Sequence, residues 1–176
     1  MISKDRFGFA TLGCALFVVS LMGCSSDSGD AETLRILVTN DDGVDSPGID
    51  IVVDALVADP RNEVIVSAPD GETSGSADAR VGDEPPPDCV EGTGEASPAE
   101  TASGYSTDVW AVNGCPADAV LFGLDNLYPD EPPHVVLSGI NAGQNGGLVG
   151  GVLISQISGT VGAAKTAACS GVPALA

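Results

Sequence analysis

Apolar and polar positions alternate along the chain in two rhythms, short β-branched runs and longer stretches with helical spacing. Leu34-Arg35-Ile36-Leu37-Val38-Thr39 is a run of the first kind and ends in a polar turn, as a strand buried in a parallel sheet does. Ser46 stands as N-cap before Pro47 in the first helical position, and Ile49, Val52, Val53 and Leu56 then fall on one helical face. Glu63 to Ser67 predicts the next strand, closed by Ala68-Pro69-Asp70-Gly71. The first unit is therefore β-α-β, with parallel strands and a right-handed crossover.

From Gly71 to Asp108 the periodicity dissolves into Gly, Pro, Ser, Thr and acidic residues, and Pro85-Pro86-Pro87 excludes a helix there. The pattern resumes with a strand at Val109 to Val112, a helix from Pro116 to about Leu127, and a strand at His134 to Leu137. A polar, Gly-rich turn follows at Ser138 to Gly143. The next helix begins near Ser158-Gly159-Thr160 and ends before Gly171, and Val172 to Ala176 reads as a final, shortened strand. Such alternation predicts a Rossmann-like, three-layer α/β/α sandwich with a mostly parallel sheet, whose ligands bind beyond the carboxyl ends of the strands.

The first 24 residues do not belong to that pattern. Lys4 and Arg6 precede an apolar stretch from Phe7 to Val19, and Leu21-Met22-Gly23-Cys24 has the form of a lipoprotein processing box. The expected organisation is a signal peptide over 1–24 with Cys24 lipidated, a flexible tether over 25–33, and a folded domain over 34–176. That reading predicts a bacterial protein exported and anchored to a membrane. An ordinary secretory signal with Cys24 incidental is the alternative, and it exports the domain equally.

Composition narrows the chemistry. The formal net charge of −19 argues against a nucleic-acid partner, whose backbone requires clustered Lys and Arg. Five cysteines include Cys14 and Cys24 in the leader, which leaves Cys89, Cys115 and Cys169. An exported domain permits disulfides; Cys89 with Cys115 is the preferred pair because it pins the irregular segment, although three cysteines allow three pairings. None has zinc-ligand spacing. His134 is the single histidine, so its expected role is local, at the start of a strand.

Candidate chemistry gathers at the predicted strand ends. Asn40-Asp41-Asp42-Gly43 is a good turn sequence in its own right. Two adjacent carboxylates leaving a buried strand, together with the neutral oxygens of Ser74 and Asn141 after other strands, also form the oxygen-only set that a hard divalent cation prefers. Ser158-Gly159-Thr160 at a helix start offers free N–H groups and hydroxyls to an anion, and Gly143 to Gly147, which includes Asn145, lets backbone approach a ligand. A cation beside an anion site points to phosphate-ester chemistry. No dinucleotide fingerprint or P-loop lysine motif is present.

These stretches resemble one family. LRILVTNDDGVDSPG from Leu34, Val66 to Asp70 with Ser74-Gly75, GCPAD from Gly114, VLSGINAGQN from Val136, and Ser158-Gly159-Thr160 with the closing Val172 to Ala176 are similar, in order, to the SurE family of 5′/3′-nucleotidases. The resemblance implies a metal-dependent phosphatase acting on nucleoside monophosphates, with a Rossmann-like core and a homo-oligomeric assembly. It implies one divalent ion, Mg²⁺ or Mn²⁺, held by Asp41, Asp42, Ser74 and Asn141, with Asp41 and Asp42 carrying the catalysis. Asn40, Asn145, Ser158, Gly159 and Thr160 would face substrate phosphate. Three departures stand out: several additional residues between Asn145 and Ser158, Gly71-Glu72-Thr73 where the family's turn is commonly basic, and an end at Ala176 where family members continue. The chain is accordingly expected to hold the N-terminal part of the full domain. Two other readings of the scaffold are a broad-specificity exported acid phosphatase and a non-catalytic binding lipoprotein.

Overall fold

In the computed structural model, β-branched runs become strands where the pattern requires them: β1 (Leu34–Thr39), β2 (Asn62–Pro69), β3 (Ala96–Pro98), β4 (Asp108–Val112), β5 (Val135–Ser138), β6 (Leu148–Val149), β7 (Val152–Leu153) and β8 (Ala174–Leu175). The helices are α1 (Pro47–Val57), α2 (Pro116–Phe122) and α3 (Gly159–Cys169). The structure describes residues 32–84, 88–100, 104, 107–128, 130–149 and 152–176. The leader, Cys24 and most of the tether lie outside them, as does Pro85 to Pro87.

Six strands form one sheet in the order β3-β4-β2-β1-β5-β8, parallel throughout except for β3, which runs antiparallel to β4. The Rossmann-like sandwich is therefore present. Alternation along β1 divides the core. Ile36 and Val38 pack with Ile49 and Val53 of α1, whereas Leu37 packs with Val120 of α2 and with Ala163 and Ala167 of α3. All eight are essentially inaccessible to water, and each large aliphatic among them contributes about 1.5–3 kcal/mol through burial. The small residues of α3 bring its backbone close to the sheet.

Glycine sets two of the close approaches. A Cβ on Gly123 would sit 2.7 Å from Leu37 Cδ2, so the segment after α2 passes directly over β1. That segment differs from the expected continuous helix: α2 ends at Phe122, and Gly123–Leu127 continues as a π-turn. The wider turn accompanies burial of Tyr128, whose hydroxyl donates to the Ile36 carbonyl at 3.0 Å. A Cβ on Gly48 would sit 2.0 Å from the Ile140 carbonyl oxygen, which presses the start of α1 against the loop after β5.

Among its described residues, the long segment between β2 and β4 contains a short 3₁₀ turn (Asp88–Glu91) and β3. Its anchor is the Cys89–Cys115 disulfide, the pairing preferred from the sequence, with Cys169 free and exposed. Asp118 adds a second tie, accepting from Cys115 N at 3.0 Å and from Val81 N at 2.9 Å. His134 plays the local role expected of it: its Nδ1 accepts from Arg35 N at 3.0 Å.

Candidate active site

Strand order reverses between β1 and β5. In a doubly wound sheet this is where a crevice opens at the carboxyl ends of the strands. The Asn40-Asp41-Asp42-Gly43 turn leaves β1 on one side of it, and Gly139-Ile140-Asn141 leaves β5 on the other. Asn40 builds the turn. Its buried side chain donates to the Gly43 carbonyl at 3.0 Å and to Ser46 Oγ at 2.6 Å, and accepts from Gly43 N at 3.2 Å. Ser46 is the N-cap residue of α1, but its hydroxyl serves Asn40 and makes no cap hydrogen bond. Gly43, at φ 101°, takes the left-handed conformation that the turn needs.

The two carboxylates then diverge. Asp41 is 2% exposed, and its Oδ1 accepts from the hydroxyl of Thr160 in the first turn of α3. Gly159 makes that contact possible: a Cβ there would lie 2.8 Å from Asp41 Cβ and 3.0 Å from Asp41 Oδ2. The Asp41 carbonyl accepts from Thr73 N at 2.7 Å and from Thr73 Oγ1 at 3.0 Å, tying the β2 turn to the same place. Asp42 points across the crevice, where its Oδ2 accepts from Ala142 N at 2.8 Å. Desolvation raises its pKa above the ordinary value; the Ala142 bond opposes this, and the charges of Asp41 and Glu72 add to it.

On the opposite wall, Asn145 Oδ1 accepts from Asn141 Nδ2 at 3.1 Å and from Ser158 Oγ at 2.7 Å. Ser158 caps α3 by accepting from Val161 N at 3.2 Å. Asn141 is thereby oriented, and its buried Oδ1 has no hydrogen-bond partner among the described residues. Of the residues expected to form the site, Asn40, Asp41, Asp42, Asn141, Asn145, Ser158, Gly159 and Thr160 join one connected arrangement. Ser74 is exposed, and its contribution to the bonding is a backbone N–H donated to Glu72 Oε1 at 2.7 Å. Thr73 and Ser76 lie in the turn after β2 that the sequence places at this edge, but nothing in the sequence singles out either as a site residue; Ser76 is buried against Gly159. A Ser within a Gly- and Ser-rich turn carries no signal before the turn's path is known.

Among the described residues, no three His, Cys, Asp or Glu side chains cluster as a metal site. The turns after β1 and β5 instead carry two carboxylates and a buried, unpartnered amide oxygen, an oxygen-only set that suits Mg²⁺ or Mn²⁺ better than a softer metal. The unpartnered Asn141 Oδ1 is the sign of fit, because a buried acceptor without a donor loses free energy unless something binds it.

The family model described as Survival protein SurE matches residues 36–176. The chain belongs to the SurE family. SurE relatives named 5′-nucleotidase SurE include one from Jannaschia sp. (strain CCS1), 37% identical over 145 residues, covering 81% of this chain and 48% of the relative. Another, from Desulfatibacillum aliphaticivorans, is 41% identical over 143 residues, covering 81% and 49%. The crystal structure of the SurE protein from Aquifex aeolicus superposes with a TM-score of 0.58 at 31% identity, covering 81% of this chain and 49% of that one. The chain thus spans about half the length of the SurE relatives it matches.

Proposed function

We propose that this chain carries the phosphate-ester chemistry of a divalent-metal-dependent 5′-nucleotidase. The observation that carries the proposal is the meeting, at the sheet's reversal point, of Asp41 and Asp42 with the unpartnered Asn141 Oδ1 and the N-terminus of α3. Asp41, Asp42 and Asn141 would hold the ion, with Ser74 on the adjacent turn as the further oxygen ligand. When bound, the ion supplies Lewis-acid polarisation and offsets charge on the phosphoryl oxygens. Thr160 fixes the Asp41 carboxylate, and Asn145, held by Asn141 and Ser158, stands where phosphate would meet the N-terminus of α3.

Charge supports the need for a cation. The cleft beside Asp42, about 370 Å³, is also lined by Asp45, Asp70 and Glu72. Among the described residues, Arg35, Arg61 and Lys165 pair with Glu131, Asp59 and Asp78, the charge of Arg80 also acts on Asp78, and none of the four lines this cleft. An anionic ester would be repelled there unless an ion intervened.

The apolar leader and Cys24 box support an exported, membrane-anchored form, and the Cys89–Cys115 disulfide suits an oxidising compartment. That setting favours a second reading, an exported phosphatase of broad specificity. Phosphate release from 5′-AMP and from p-nitrophenyl phosphate, with Mn²⁺ or Mg²⁺, separates the two. A nucleotidase gives a kcat/KM at least about ten-fold higher for 5′-AMP, whereas equal values select the broad phosphatase.

A further inference from the structure

Ser76 is 1% exposed, and its hydroxyl has no hydrogen-bond partner among the described residues. A buried hydroxyl left unpaired is destabilising, and alanine would occupy the position without that cost. The backbone is also constrained to bring the residue there. The next residue, Ala77, has φ 51°, in the left-handed region that alanine rarely adopts. A Cβ on Gly162 would lie 1.7 Å from the Ala77 carbonyl oxygen, so only glycine in α3 admits this segment.

What surrounds the hydroxyl indicates its use. A Cβ on Gly159 would fall 2.6 Å from Ser76 Oγ and 3.0 Å from Asp41 Oδ2, which places the two oxygens within the sum of those distances of each other. Thr160 already donates to Asp41 Oδ1, and among the described residues nothing donates to Oδ2. Ser158 Oγ, the other hydroxyl at the start of α3, is committed to Asn145 and to Val161 N. Ser76 therefore has a donor with no acceptor on the same side of Gly159 as a carboxylate oxygen with no donor.

We propose that Ser76 is a positioning residue for Asp41, its buried hydroxyl turning onto Oδ2 as Thr160 holds Oδ1. The carboxylate is then fixed on both sides in the orientation that receives a divalent ion. This rests on the reading of Asp41 as a metal ligand. Outer-shell donors of this kind typically change metal affinity by about 10–100-fold.

The test is direct Mn²⁺ titration of the wild-type chain, Ser76→Ala and Asp41→Asn by electron paramagnetic resonance, with thermal melts in chelator. Weakening of Mn²⁺ binding by about ten-fold or more in Ser76→Ala, without a fall in its metal-free Tm, is the expected result. Binding within two-fold of wild type in Ser76→Ala, while Asp41→Asn loses it, would overturn the role of Ser76 and leave the metal site standing. A lowered metal-free Tm in Ser76→Ala would make the hydroxyl structural and also overturn it. Failure of the wild-type chain itself to bind Mn²⁺ would remove the metal site and the inference together.

Discussion

Asp41 and Asp42 are neighbours in sequence but not in environment. Asp41 is sealed beneath α3 with a threonine hydroxyl on one oxygen, while Asp42 reaches across the crevice and is repelled by Asp41 and Glu72. Protonated Asp42 favours the fold. The sign follows from its raised pKa: that stability is complete below the ordinary value of 3.8 and is lost as pH rises through the raised one. Asp42→Asn imitates the protonated form. In chelator at neutral pH it should melt above wild type, with the difference closing near pH 4, while its phosphate release falls by about 10²-fold or more. Melting curves at both pH values and a phosphate assay check the two halves. At this scale much was legible, because Asn-Asp-Asp-Gly after an apolar run announces carboxylates at a strand end. Ser76 was not, since its meaning depends on the absence of a side chain at Gly159, far along the chain.

Among the elements, α3 does most to assemble the site. Ser158 caps it, Gly159 and Gly162 admit Asp41 and Ala77, and Thr160 reaches the carboxylate. The helix start could be read from Ser158-Gly159-Thr160, whereas its neighbours could not, because periodicity specifies a face without naming what packs on it. The π-turn after Phe122 escaped for a related reason: it answers to Leu37 and Tyr128, which are distant in sequence. The irregular segment before β4 depends on a covalent tie. Closing the loop between Cys89 and Cys115, a separation of 26 residues, stabilises the fold by about 3.5 kcal/mol through the unfolded chain. Urea unfolding of a Cys89→Ser, Cys115→Ser double variant should show a loss of that order; a loss below about 1 kcal/mol would mean that Asp118 and β3 hold the segment unaided.

Across the whole molecule, a parallel sheet whose order reverses between β1 and β5 brings residues a hundred positions apart to one edge, as Ala142 N on Asp42 Oδ2 illustrates. The fold class was legible because strands and helices alternate in the sequence, and the position of the site followed from the class. The meeting of Asn145 with Asn141 and Ser158 was not, because the chain between Asn145 and Ser158 leaves the main sheet as the β6–β7 hairpin. An acidic molecule that handles an anionic ester must bring a cation to it, and the account stands on that requirement. Its most direct test is phosphate release from 5′-AMP by the folded chain with Mn²⁺, with excess chelator, and with Mn²⁺ after Asp41→Asn. The account predicts release in the first case and loss in the other two. Release that survives both chelation and the substitution, or none at all from the folded chain supplied with Mn²⁺, would contradict it.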